Sequence, residues 1–150
     1  MKVSIVEDAN IDELSVVIKT PKVDDVTTSL HRMIEGFSLI LICDDNGMQC
    51  RVAITDILYC ESVDKRTFVY TNDKNYETKL PLYQIEQQFG QYGLTRISKA
   101  MVVNLNNVLK IKPLFSARAL LYLCNDETVE VSRQYFRSLK NKLSLGGKKR

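Results

Sequence analysis

The alternation of apolar and polar residues changes period along the chain. From Asp24 onward, Val26, Leu30, Met33, Ile34 and Phe37 recur at the three- and four-residue spacing that lays one stripe along a helix. Asp24 and Asp25 suit the positive N-terminal end of such a helix, and Gly36 with Phe37 closes it. Ahead of it, residues 2–6 and 14–19 (LSVVIK) read as two short strands, followed by Pro21. Past residue 37 the period shortens to that of strands. SLILIC and MQCRVAI flank DDNG, a turn sequence that returns two strands antiparallel. ILYCESV (57–63), TFVYT (67–71) and YETKL (76–80) follow, separated by DKR and NDKN. In the last of these Tyr76, Thr78 and Leu80 alternate with Glu77 and Lys79, one face buried and one wet.

A short helix is expected next, with Pro81 in its first turn, Leu82, Ile85 and Phe89 on one side, and Gly90 as its stop. Beyond a basic and apolar stretch come two more strands, ALLYLC and TVEV, joined by NDE. The last helix begins after Ser132, whose hydroxyl is placed to cap it. Tyr135, Phe136, Leu139 and Leu143 form its apolar side, with Arg133, Arg137 and Lys140 on the other. Strands dominate 38–131 without a β-α-β rhythm, so the fold class is mainly β, an antiparallel sheet domain with short helices. At 150 residues the simplest division is a small N-terminal β/α segment (1–42), a sheet domain (43–145) and a basic tail (146–150).

Composition narrows the setting. A hydrophobic content of 45% supplies a core. No apolar run approaches the roughly 20 residues of a membrane span, and MKVSIVEDAN lacks a signal core, so the expected location is cytoplasmic. Cys43, Cys50, Cys60 and Cys124 show no C-x-x-C spacing; they read as core thiols rather than metal ligands, and no metal or cofactor is expected. No Gly-rich phosphate loop appears, and no His stands beside Cys or Ser, so an enzyme is not expected.

Charge changes the picture more. Residues 1–42 carry 4 Lys/Arg against 7 Asp/Glu, residues 43–93 carry 5 against 8, and residues 94–150 carry 12 against 3. A field of that kind suits a polyanion, even after the tail's Lys148, Lys149 and Arg150 are set aside. The cations sit at strand ends: Lys65 and Arg66 between two strands, Arg96 and Lys99 before AMVV, Arg133 just past TVEV. Loops held by a rigid sheet are where binding residues gather. In RISKAMVVNLNNVLKIK (96–112), Arg96 to Lys99 read as a loop and Met101 to Val103 as core. Asn104 reads as structural, satisfying backbone groups at NLNN, with direct nucleic-acid contact as the alternative. For Arg96 an internal salt bridge competes with a contact role.

ILYCES, RISKAMVVNLNNVLKI and VEVSR, in this order and spacing, resemble the LytTR family of bacterial DNA-binding domains over roughly residues 48–144. The resemblance implies a compact, elongated β fold whose loops reach successive grooves of promoter DNA, and a transcriptional regulator acting on direct-repeat sites. It places Thr67, with Lys65 and Arg66 beside it, at a major groove; Ser98 and Lys99 in a second loop; and Arg133 at a base edge such as guanine. Ser132 and Arg137 then fall near phosphates. Where many members carry His-Arg-Ser, this chain has Ser98-Lys99-Ala100.

The first residues, VSIVEDAN, look like the start of a receiver domain, but about 45 residues before the sheet are too few for one. The stripe from Val26 to Phe37 is expected to pack on the sheet, on a second copy, or on a partner protein. Stand-alone regulators of the resembled family suggest, by analogy, an inhibitory membrane protein. Two other function classes compete with duplex binding. One is an RNA-binding sheet with Tyr59, Phe68, Tyr70 and Tyr76 as stacking groups; the other is a protein-interaction or sensor module with an incidental basic surface.

Overall fold

The computed structural model describes residues 1–143, the side chain of Leu143 excepted; the expected basic tail at 146–150 and the apolar role of Leu143 lie outside the described residues. The chain order is α1 (Asp25–Gly36), β1 (Ile40–Asp45), β2 (Met48–Ala53), β3 (Ile57–Val63), β4 (Arg66–Thr71), β5 (Asn75–Thr78), α2 (Leu82–Phe89), β6 (Leu94–Ser98), β7 (Met101–Asn104), β8 (Val108–Leu114), β9 (Arg118–Leu123), β10 (Thr128–Val131) and α3 (Arg133–Leu143). The strands form two antiparallel sheets, ordered β2-β1-β5-β4-β3-β7-β6 and β10-β9-β8.

Local chemistry sets most boundaries. Asp24 caps α1, its Oδ1 accepting the Thr27 N–H at 2.9 Å. Asn46 and Gly47, at φ 52 and 90, make the left-handed pair that a two-residue hairpin needs between β1 and β2. Helix α2 ends at Phe89 with Gly90 as its C-cap, as expected; the chain then passes through a 3-10 turn and reverses at Gly93, φ 113. A Cβ at Gly93 would lie 2.8 Å from both Asn104 Oδ1 and Asn106 Nδ2.

The large sheet is buried on both faces at its centre. Leu82, Ile85 and Phe89 of α2 pack with Leu41, Ile57, Cys60, Val69, Leu94 and Val102 on one side. On the other, Leu58, Ile97 and Val103 meet Leu121, Val129 and Val131 of the small sheet and Leu139 of α3. This is why the run Met-Val-Val does not alternate: Val102 and Val103 point into different cores, and both are fully buried.

The strands expected at 2–6 and 14–19 do not form. Val3, Ile5, Val6, Leu14, Val16 and Val17 are all exposed, and their apolar pattern pairs with no strand among the described residues. Two strands were not anticipated. Leu94–Ser98 pairs with β7, so Arg96 to Ser98 belong to a strand and only Lys99 and Ala100 turn. Val108–Leu114 pairs with β9. Cys43 and Cys60 are buried as expected; Cys124 is exposed. Burial pushes the Cys43 thiol up to about 12, with Cys50 adding to it, and raises Cys60 further.

Candidate nucleic-acid interface

Three connections meet at one end of the large sheet. The β3–β4 turn is Asp64–Lys65, both residues left-handed at φ 51 and 64. Because β3 neighbours β7, this turn stands beside the β6–β7 turn at Lys99 and Ala100. A backbone bond joins them: Ser62 N–H donates to Ala100 O at 2.8 Å. The third segment is the start of α3. Ser132 N–H donates to Ile97 O at 2.9 Å, two residues before Lys99. Main-chain bonds therefore connect the three basic segments in series.

The first two turns border a groove of about 1200 Å³ lined by Lys65, Arg66, Thr67, Arg96 and Lys99. Lys79 lines it too. Sequence reading placed Lys79 merely on a wet strand face. The pairing of Thr67 with Thr78 brings it beside the Lys65 turn, and only the strand register carries that information.

Side-chain direction sorts the expected contacts. Lys65, Lys99, Arg133 and Arg137 are exposed. Arg66 is exposed but engaged, its Nε and Nη2 donating to Glu77 Oε2 and Oε1 at 3.0 and 2.7 Å. Those bonds hold the Glu77 carboxyl below the usual carboxylate range. Thr67 is only 6% exposed, facing the core side between Ser62 and Thr78, so it is a wall of the groove rather than a protruding contact.

Arg96 turns inward. Its Nε donates to Ser98 O at 2.8 Å and its Nη2 to Lys99 O at 2.6 Å, while Nη1 lies 4.0 Å from Glu86 Oε1 and the guanidinium stands 6.0 Å from the Tyr135 ring centroid. It braces the turn that carries Lys99. Ser98 Oγ accepts the Ala100 N–H at 3.3 Å, tightening the same turn. Ser132 does not cap α3 with its hydroxyl: Oγ is buried without a hydrogen-bond partner, and the carbonyl instead accepts the Tyr135 and Phe136 N–H groups at 3.1 and 3.0 Å. A buried hydroxyl does not offer itself to a phosphate, so the expected contact at Ser132 is not presented.

Arg133 is anchored at its root, Nε donating to Ser116 O at 3.1 Å in the left-handed β8–β9 turn. Asn104 has the structural role. Its Nδ2 donates to Ile57 O at 2.9 Å and Ile54 O at 3.3 Å, and its Oδ1 accepts the Asn106 N–H at 3.1 Å, all at 1% exposure.

The aromatic residues are occupied. Tyr59 and Tyr70 stack on each other with centroids 4.5 Å apart, Arg66 covers Phe68 at 5.1 Å, and Lys74 covers Tyr76 at 5.6 Å. Among the described residues no group of three His, Cys, Asp or Glu could hold a metal ion, and no helix is long and apolar enough to cross a membrane.

The model of the LytTr DNA-binding domain matches residues 48–144. A solved LytTr DNA-binding domain from Bacillus cereus superposes with a TM-score of 0.66 at 24% identity, covering 71% of this chain and 97% of that one, a likeness of fold. An uncharacterized HTH-type transcriptional regulator of Staphylococcus aureus is 26% identical over 147 residues, 97% of this chain and 99% of that protein. The sensory transduction protein LytT of Bacillus cereus is 27% identical over 121 residues, 81% of this chain but 46% of its own length. No two α-helices are consecutive among the described residues, so no helix-turn-helix accounts for the likeness. The matched span runs from β2 through α3, and on that match the chain belongs to the LytTr DNA-binding domain family.

Proposed function

We propose that the chain is a transcriptional regulator that grips duplex promoter DNA along the rim formed by the β3–β4 turn, the β6–β7 turn and the start of α3, reading direct-repeat sites. The observation that carries this is the stitching of three basic segments at one sheet end by the Ser62–Ala100 and Ser132–Ile97 bonds. Lys65 and Lys79 supply phosphate contacts, Lys99 and Arg133 approach base edges, and Arg137, one helical turn beyond Arg133, follows the backbone. Arg66 joins only by exchanging Glu77 for a phosphate. Residues 43–145 act as the reading domain and 1–42 as an accessory segment, with no catalytic step and a cytoplasmic place of action.

An RNA platform is disfavoured because the rings it needs are stacked or covered. The test is selection from a random duplex pool, followed by binding at several salt concentrations with single-stranded RNA as competitor. Affinity should fall steeply with salt. Lys99→Ala should lose about 1–3 kcal/mol of specific binding with the thermal midpoint unchanged. Salt-independent binding, or equal competition by RNA, overturns the reading.

A further inference from the structure

Helix α1 leaves an apolar seam uncovered. Val26, Met33 and Phe37 are 65%, 52% and 75% exposed, and Leu30 is half-buried. The helix meets its own domain at Gly36, which is buried where an added Cβ would lie 3.2 Å from Tyr92. Ahead of it, residues 1–23 run without strand or helix and expose one apolar side chain after another.

The seam's spacing of four, three and four residues is that of a helix–helix interface. It also reads the same in both directions. Two copies laid antiparallel about the point between His31 and Arg32 set Val26 against Phe37 of the second copy and Leu30 against Met33 of the second copy, twice over. That reciprocity is what a two-fold interface requires. The positions flanking the seam are Thr27, Ser29, Ile34 and Gly36, so no like charges are forced together. Four side chains alone are a small seam against the roughly 800 Å² per partner of a standard interface. The exposed apolar residues of 1–23, among them Ile5, Val6, Leu14 and Val17, are available to extend it.

From this we infer that the free protein pairs with a second copy of itself through antiparallel α1 helices, with residues 1–23 laid across the junction. The inference does not depend on the DNA reading. Head-to-tail repeats on a duplex hold both domains in one direction, so the pair is a property of the free chain; seating both domains on such a site requires rotation at Phe37–Leu39, between α1 and β1.

Sedimentation of the full chain over a wide dilution series should show a monomer–dimer equilibrium. Met33→Glu, at an exposed position, should weaken it by at least about tenfold while leaving the circular dichroism spectrum and binding to a single half-site intact. A Val26→Cys/Phe37→Cys double variant tests the orientation. Within one helix these positions are roughly 16 Å apart, beyond disulfide reach. Placed in a Cys124→Ser background, which removes the exposed native thiol, the double variant should therefore give a covalent dimer on mild oxidation that the Cys124→Ser parent does not form. A monomer at every concentration overturns the inference and leaves the seam to a different partner. A dimer indifferent to Met33→Glu, or absence of the cross-link, overturns it as well.

Discussion

Arg96 separates two physical roles that a basic residue near a binding surface can play. Replacing it by Met keeps the length of the side chain and removes the guanidinium. Two charge-assisted bonds disappear, to Ser98 O and Lys99 O, at 2.8 and 2.6 Å. Such bonds contribute about 1.5–3 kcal/mol each when shielded. Ser98 is half-buried, but Lys99 is exposed, so water takes over part of the second bond. The net loss should therefore be about 2–3 kcal/mol, lowering the thermal midpoint by about 4–12 °C in a domain of this size. Specific affinity should fall because Lys99 loses its fixed position. The salt dependence should not change, since a bracing residue neutralises no phosphate. A phosphate contact would instead lower the log–log salt slope by about 0.9. Thermal unfolding and a binding series at several salt concentrations give both numbers. An unchanged midpoint with a shallower slope would refute the bracing role.

Glu77→Gln should release Arg66 from its bidentate partner, raising affinity for duplex and steepening the salt slope by about one contact, measured in the same series. Because Glu77 titrates below the 4.5 of an unpaired glutamate, its pairing contributes to stability above that value and is lost only as pH falls through the lower folded-state pKa; a pH-dependent unfolding series of wild type against Glu77→Gln should converge in acid. Gly93→Ala should cost about 2–4 kcal/mol by chemical denaturation, since the residue sits at φ 113 and its Cβ would collide with Asn104 and Asn106. In thiol titration of the native protein Cys124 should react first and Cys43 and Cys60 only on unfolding, where burial no longer disfavours the thiolate; early reaction of Cys60 would contradict the core assignment.

Much of the sheet is legible because its strands are bounded by strong turn chemistry. ILYCESV coincides with β3, and DDNG is the hairpin turn it looks like. What escaped had weak or divided signals. LTRIS carries an arginine mid-strand, and a cation there reads as loop until its bonds to the turn carbonyls are known. VLKIKPL is an exposed edge strand with a proline, so it lacks the alternation of a half-buried one. Conversely, VSIV and LSVVIK have strand composition but no neighbour, and pattern alone does not create a pairing partner. At the candidate interface the places of the cations along the chain are legible in the sequence, and the directions of their side chains are not. Thr67 and Arg66 are adjacent in sequence and face opposite sides of a strand, while Ser132 spends its carbonyl, not its hydroxyl, on the helix start.

On the proposed reading, the main-chain bonds between Ser62 and Ala100 and between Ser132 and Ile97 have a consequence for the promoters such a protein would serve. Peptide groups bonded in this way would give the proposed reading segments no independent reach, so their footprint would behave like a ruler. A base substitution within the site removes one edge contact, whereas gaining or losing a single nucleotide shifts every later contact by one rise and one increment of helical twist. Evolution of the operators should therefore be free in letters and strict in length.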